Sequence, residues 1–149
     1  MRKPKKLRSR KAGMPPGSLV HIGEVKTAHP ALSVLDFGPG ALNEGELPDT
    51  TALATYTRKN AILWGNIYGV RDPGDLIAIG NTFRLHPLVL EDILNNDQRQ
   101  KVDAYGNYLY IVLHRYEVTA APLNLVQDQI SLIVGPDYLL SFQERQSRT

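Results

Sequence analysis

The residues best suited to chemistry in this chain are the adjacent carboxylates Glu91 and Asp92. Carboxylates are hard oxygen donors, the kind Mg²⁺ takes, and Mg²⁺ asks for near-octahedral order while keeping several waters. One or two carboxylates from a single domain make only a weak site, so a useful one needs a further carboxylate from a neighbouring subunit. Other chemistries find no support. The chain has no Gly-x-x-x-x-Gly-Lys, no Gly-x-Gly-x-x-Gly and no Gly-x-Ser-x-Gly elbow. His21, His29, His86 and His114 are scattered, without the close helical pair of a zinc protease. There is no cysteine, which excludes disulfides, thiolate metal sites and a cysteine nucleophile. No catalytic residue is assigned, and the chain does not read as an enzyme.

The element that must carry the two carboxylates runs through Leu85 to Arg99. Pro87 suits the first turn of a helix, where its missing N–H would be unpaired anyway, and His86 then falls at the N-cap. At a helical period Val89, Leu90, Ile93 and Leu94 share one face, predicted to be buried, while Glu91, Asp92 and Asn95 point away and stay accessible. Leu88 projects between the two acids, an odd place for an apolar side chain on a solvated surface and a reasonable one on a surface that meets another subunit. Glu91 and Asp92 also lie close to the helix N-terminus, which favours negative charge. A capped surface helix with ordinary acidic residues accounts for the same pattern.

A chain of 149 residues, 42% hydrophobic and 21% charged, fits one globular domain able to bury a core. Its longest apolar or aromatic run, Tyr108 to Leu113, is far short of the ~20 residues that span a bilayer. The net charge of +2 hides an asymmetry. Residues 1–11 hold seven Lys/Arg and no acid, which leaves ten basic against fifteen acidic residues in the remainder. Residues 1–17 therefore read as a basic, solvated tail and 18–149 as the domain. The acidic body argues against nucleic acid as a partner.

The elements follow from local pattern. Leu19 to Ile22 and Ala31 to Phe37 read as strands, Asn43 to Asp49 as a surface loop, Thr50 to Lys59 as a short helix and Ala61 to Tyr68 as a strand. Gly65 within that strand signals a bulge or a close approach. Asp72-Pro73-Gly74 turns into a helix over Asp75 to Phe83. After the Leu85–Arg99 helix come strands at Lys101 to Tyr105, Tyr108 to Val118, Val126 to Val134 and Tyr138 to Gln143. They are joined by Gly106-Asn107, by Ala120 to Asn124 and by Gly135-Pro136-Asp137, as an antiparallel meander. The result is an α/β (α+β) sandwich on a mixed, largely antiparallel sheet.

The run Phe83 to Val102, with His86-Pro87-Leu88-Val89-Leu90-Glu91-Asp92-Ile93-Leu94 and then Asp97-Gln98-Arg99-x-Lys101-Val102, resembles the cytoplasmic domain of the CorA family of magnesium transporters. Met14 to Val20, Trp64-Gly65-Asn66-Ile67, Tyr105 to Leu113 and Gln129 to Val134 resemble further segments of it, in order. The resemblance implies helices on both faces of the sheet. It also implies that Asp92, with help from Glu91, contributes to an intersubunit site for regulatory Mg²⁺, weak in this fragment, with Co²⁺ as a second ion. The remaining ligands, the two membrane spans and the Gly-Met-Asn pore loop lie downstream of the residues seen here. The full-length protein is implied to be a homo-oligomer, a pentamer in the family, in the cell membrane with this domain on the cytoplasmic side. Arg84 stands where the family often has Gly, Gln100 where it has Pro and Gly65 where it has an apolar residue, departures that leave a zinc-transporting ZntB-like branch open. A free-standing binding or scaffold module of the same fold is the other reading.

Overall fold

The computed structural model describes residues 15–16, 31–120 and 122–145. The strand expected at Leu19 to Ile22 and most of the basic tail lie outside them. The chain order is β1 (Ala31–Gly38), β2 (Ala41–Leu47), α1 (Thr50–Ala54), β3 (Ile62–Tyr68), α2 (Pro73–Phe83), α3 (Pro87–Leu94), β4 (Lys101–Tyr105), β5 (Tyr108–Ala120), β6 (Leu123–Val134) and β7 (Tyr138–Gln143). The strands form one seven-stranded sheet in the order β2-β1-β3-β7-β6-β5-β4. Among the described strands only β3 and β7 run parallel, so the sheet is mixed and largely antiparallel as expected.

Residues 43–49 correct the sequence reading. The expected loop is mostly strand β2, paired with β1 from Leu32↔Leu47 to Gly38↔Ala41. Its Asn43, Glu44 and Glu46 are exposed, as suits the last strand of a sheet, where charge discourages pairing with another chain. Polar composition hides such a strand from pattern reading. The tight turn at Pro39-Gly40, with Gly40 at φ +74°, is what returns the chain against β1. The β5–β6 connection is likewise shorter than expected, because pairing continues to Ala120↔Leu123.

The helices start where local chemistry lets them. Asp49 caps α1 by accepting from Ala52 N–H at 2.8 Å. Asp72 caps α2 by accepting from Gly74 N–H at 2.8 Å, and Pro73 opens the helix two residues earlier than expected. All three described helices pack on one face of the sheet, over Val34, Leu63, Ile67, Tyr110, Ile133 and Leu140. Gly65 is the close approach its sequence position suggested, since a Cβ there would sit 3.0 Å from Leu140 and 3.3 Å from Leu53. The opposite face carries Leu35, Trp64, Ile111 and Leu132, all half-buried. The second helical layer that the resemblance implies is not among the described residues.

Candidate metal centre on the third helix

α3 is held at both ends by its own sequence. His86 is the N-cap, and its Nδ1 accepts from the Leu88 N–H at 3.1 Å. The His86 N–H in turn donates to the Tyr108 hydroxyl at 2.9 Å, which ties the helix start to β5. Val89, Leu90, Ile93 and Leu94 are buried, as the helical projection predicts. Leu90 fills the space over Gly80 of α2, where a Cβ would come within 2.6 Å of it. α2 ends at Arg84, which caps it in the left-handed region at φ 54°, ψ 49°. The position does require a positive φ, so Arg stands where glycine would be unstrained, at a cost of about 1 kcal/mol.

Leu88, between the two acids, is 40% exposed. Glu91 is half-buried, and so is Asp92, whose side chain is 23% exposed. Asp92 is less open than the projection suggests, because β4 passes beneath it. Lys101, the first residue of β4, places its Nζ 2.7 Å from Asp92 Oδ2 and 3.0 Å from Asp103 Oδ2. The Gln98 side-chain amide donates to Asp92 Oδ1 at 3.1 Å. The Lys101 ammonium also lies 5.3 Å from the centre of the Tyr110 ring, within cation–π range. Burial would lower the Lys101 pKa, but hydrogen bonds and attraction from Asp92 and Asp103 outweigh it and hold the value above that of a free lysine. Burial pushes the Tyr110 hydroxyl up, so it stays protonated beside Ser131, 3.3 Å away.

Sequence reasoning found Asp92 and missed its partners. The signal was present in Lys101-Val102-Asp103, whose strand alternation puts Lys101 and Asp103 on one face. His114 is paired, its Nε2 lying 2.9 Å from the Gln98 carbonyl oxygen.

The donors at this place are the hard oxygens that Mg²⁺ takes. Among the described residues, however, no three His, Cys, Asp or Glu side chains come together. Each oxygen of Asp92 already has a donor from its own chain. The described side chains here do not by themselves make up a cation's ligand set.

The sheet and its helices define a class that comparison with known proteins makes specific. The family profile described as CorA-like Mg²⁺ transporter protein matches residues 59–149. The chain is 34% identical over 137 residues to the cobalt/magnesium transport protein CorA of Thermotoga maritima, across 92% of this chain and 39% of that protein. It is 27% identical over 79 residues to the putative metal ion transporter YfjQ of Bacillus subtilis, covering 53% of this chain and 23% of that protein. Among solved structures, the soluble domain of CorA from Methanocaldococcus jannaschii superposes with a TM-score of 0.56 at 9% identity, covering 83% of this chain and 43% of that one. The full-length CmaX protein superposes with a TM-score of 0.61 at 12% identity, covering 84% of this chain and 38% of that one. Those two structures share the fold.

This chain belongs to the CorA-like Mg²⁺ transporter family, a family of ion transporters rather than enzymes. It spans well under half the length of the curated relatives it matches. No helix among the described residues is long and apolar enough to cross a membrane.

Proposed function

We propose that this chain is the cytoplasmic domain of a CorA-like magnesium or cobalt transporter, and that it reports intracellular Mg²⁺ to the pore. The observation that carries the reading is the 34% identity to the Thermotoga maritima cobalt/magnesium transport protein across 92% of the chain. In this reading the complete protein is a homo-oligomer in the cell membrane. Leu88 and the acidic face of α3 meet a neighbouring subunit, and Asp92, with Glu91 beside it, faces a carboxylate of that neighbour. Two like charges a few ångströms apart repel by about 1–4 kcal/mol at effective dielectrics of 80 to 20. A divalent ion shared between them turns that repulsion into a bridge. Mg²⁺ then favours the tight, closed arrangement, and its loss releases the subunits and opens the pore, as expected of a ligand that binds one of two states better.

The chain's own contribution is positional. The His86 cap and the four buried apolar residues fix α3, so Glu91 and Asp92 are presented from a rigid element. Bridging needs the neighbour's carboxylate, so the 149-residue chain alone binds Mg²⁺ weakly. Limited proteolysis of the complete protein across a Mg²⁺ titration tests the reading. The wild type is expected to gain protection as Mg²⁺ rises, and Asp92→Asn to lose most of that gain. The same Mg²⁺-dependent protection in both would return Asp92 to an ordinary helix residue.

A further inference from the structure

Asp92 is not an empty seat. Its Oδ2 holds the Lys101 ammonium at 2.7 Å, so a cation reaching that oxygen meets a positive charge already in place. Lys101 is already shared with a second acid. The same ammonium lies 3.0 Å from Asp103 Oδ2, and the Tyr110 ring is 5.3 Å away. The Lys101 side chain is 30% exposed and that of Asp103 41%, so neither the ammonium nor its second partner is locked in the core. A lysine is a compact charge on a flexible four-carbon stem, able to turn between neighbouring acids without leaving either end of its range. Gln98 Nε2 donates to the other oxygen, Oδ1, and keeps the carboxylate oriented whichever cation holds Oδ2.

We infer that Lys101 is a tethered competitor for the divalent cation at Asp92, shared between Asp92 and Asp103 when the ion is absent and withdrawing to Asp103 alone when it arrives. The inference rests on the proposed intersubunit role of Asp92 and specifies how its response is set. A competitor built into the chain raises the ion concentration needed to occupy the site. The second seat on Asp103 limits that penalty, because the displaced ammonium keeps a partner. Lys101 is thus a positioning residue that sets the Mg²⁺ midpoint without touching the ion.

The experiment is the Mg²⁺ midpoint of protease protection in the complete protein, compared among four variants. Lys101→Met removes the competitor and is expected to lower the midpoint about fivefold, the fold-change that a partly exposed ion pair of the usual strength supports. Asp103→Asn removes the second seat, holds Lys101 on Asp92 and is expected to raise the midpoint. In the Lys101→Met background the same Asp103→Asn change should have a much smaller effect, since Asp103 acts through Lys101. A merely structural Lys101 would not give midpoint shifts of opposite sign, and thermal melts of each variant report any loss of fold separately. The Asp103 side chain is partly open to solvent, so its variant reads the effect even where Lys101→Met folds poorly. An unchanged midpoint in Lys101→Met, or an Asp103→Asn effect that persists undiminished without Lys101, overturns the inference. Asp92→Asn separates the two levels. Loss of Mg²⁺ response there with no shift in Lys101→Met leaves the proposed function standing and removes the competitor alone. An unaltered response in Asp92→Asn sinks both.

Discussion

Asp36 and Asp92 are both aspartates on the helical side of the sheet, and the protein treats them in opposite ways. Asp36, on β1, is fully shielded from solvent. Its Oδ2 accepts the Lys59 N–H at 2.7 Å and the Tyr56 hydroxyl at 3.3 Å, and its Oδ1 accepts the Asn60 N–H at 2.9 Å. Among the described residues, the carboxylate of Asp92, on α3, is held by the side chains of Lys101 and Gln98 and is partly open to water. Backbone amides cannot leave a carboxylate without unfolding the segment that carries them, whereas lysine and glutamine side chains can. The first arrangement therefore fastens the loop between α1 and β3, and the second leaves a charge that can exchange partners.

The largest effect expected in testing this contrast comes from the packing beneath Asp92. Leu94 is 1% exposed, and Leu94→Ala should cost about 2–5 kcal/mol, read from the denaturant midpoint. A smaller loss would mean that α3 is not rigidly seated and that Asp92 owes its position to Lys101. Next in size is Asp36→Asn, which puts an NH₂ group among donors that need an acceptor. It should lower the chemical-denaturation midpoint more than Asp92→Asn does; equal losses would erase the distinction drawn here.

Asp36 also gives the contrast a pH signature. Burial raises its pKa, but the hydrogen bonds from Lys59 and Asn60, from the Asn60 side chain and from Tyr56 outweigh burial, so the folded value lies below the ordinary 3.8. A depressed folded pKa stabilises the fold above the ordinary value. That contribution is lost as pH falls from about 4 through the folded pKa. Melting temperatures followed down from neutral pH should fall in that acid range for the wild type and fall less for Asp36→Asn. An identical slope in the two proteins would show that Asp36 is not the acid-sensitive fastener.

Smaller still is the change at Arg84, whose φ of 54° joins α2 to α3. Arg84→Gly should raise stability by about 1 kcal/mol or less, since the relief of strain is set against the greater freedom of glycine in the unfolded chain. The least effect on stability belongs to the Asp92–Lys101 pair. Asp92→Asn should change the unfolding free energy by no more than about 1 kcal/mol, and that change should shrink as salt is added. A much larger, salt-insensitive loss would make the pair a structural element like Asp36 and remove the freedom that cation exchange requires.

The sequence by itself determined how α3 begins but not where it ends: the helix expected to run to Arg99 stops at Leu94, where Asn95 caps it in an extended conformation. Its start, its cap and its buried face follow from Pro87, His86 and the spacing of Val89, Leu90, Ile93 and Leu94, because those are interactions within a few residues of one another. The same holds for β7, whose bounds Tyr138–Gln143 match the expectation. Only the tertiary structure decided what lies beyond local reach. β2 exists because β1 offers it a pairing edge, which its own polar residues do not advertise. Asp36 is buried because Lys59 and Asn60 bring their backbone amides to it from more than twenty positions away. Asp92 has its charge answered by Lys101, nine residues on, because the turn after α3 returns β4 beneath the helix. Hydrophobic period marks which face of an element is buried; the partner of a charge depends on where the chain comes back, and that is set by the whole sheet.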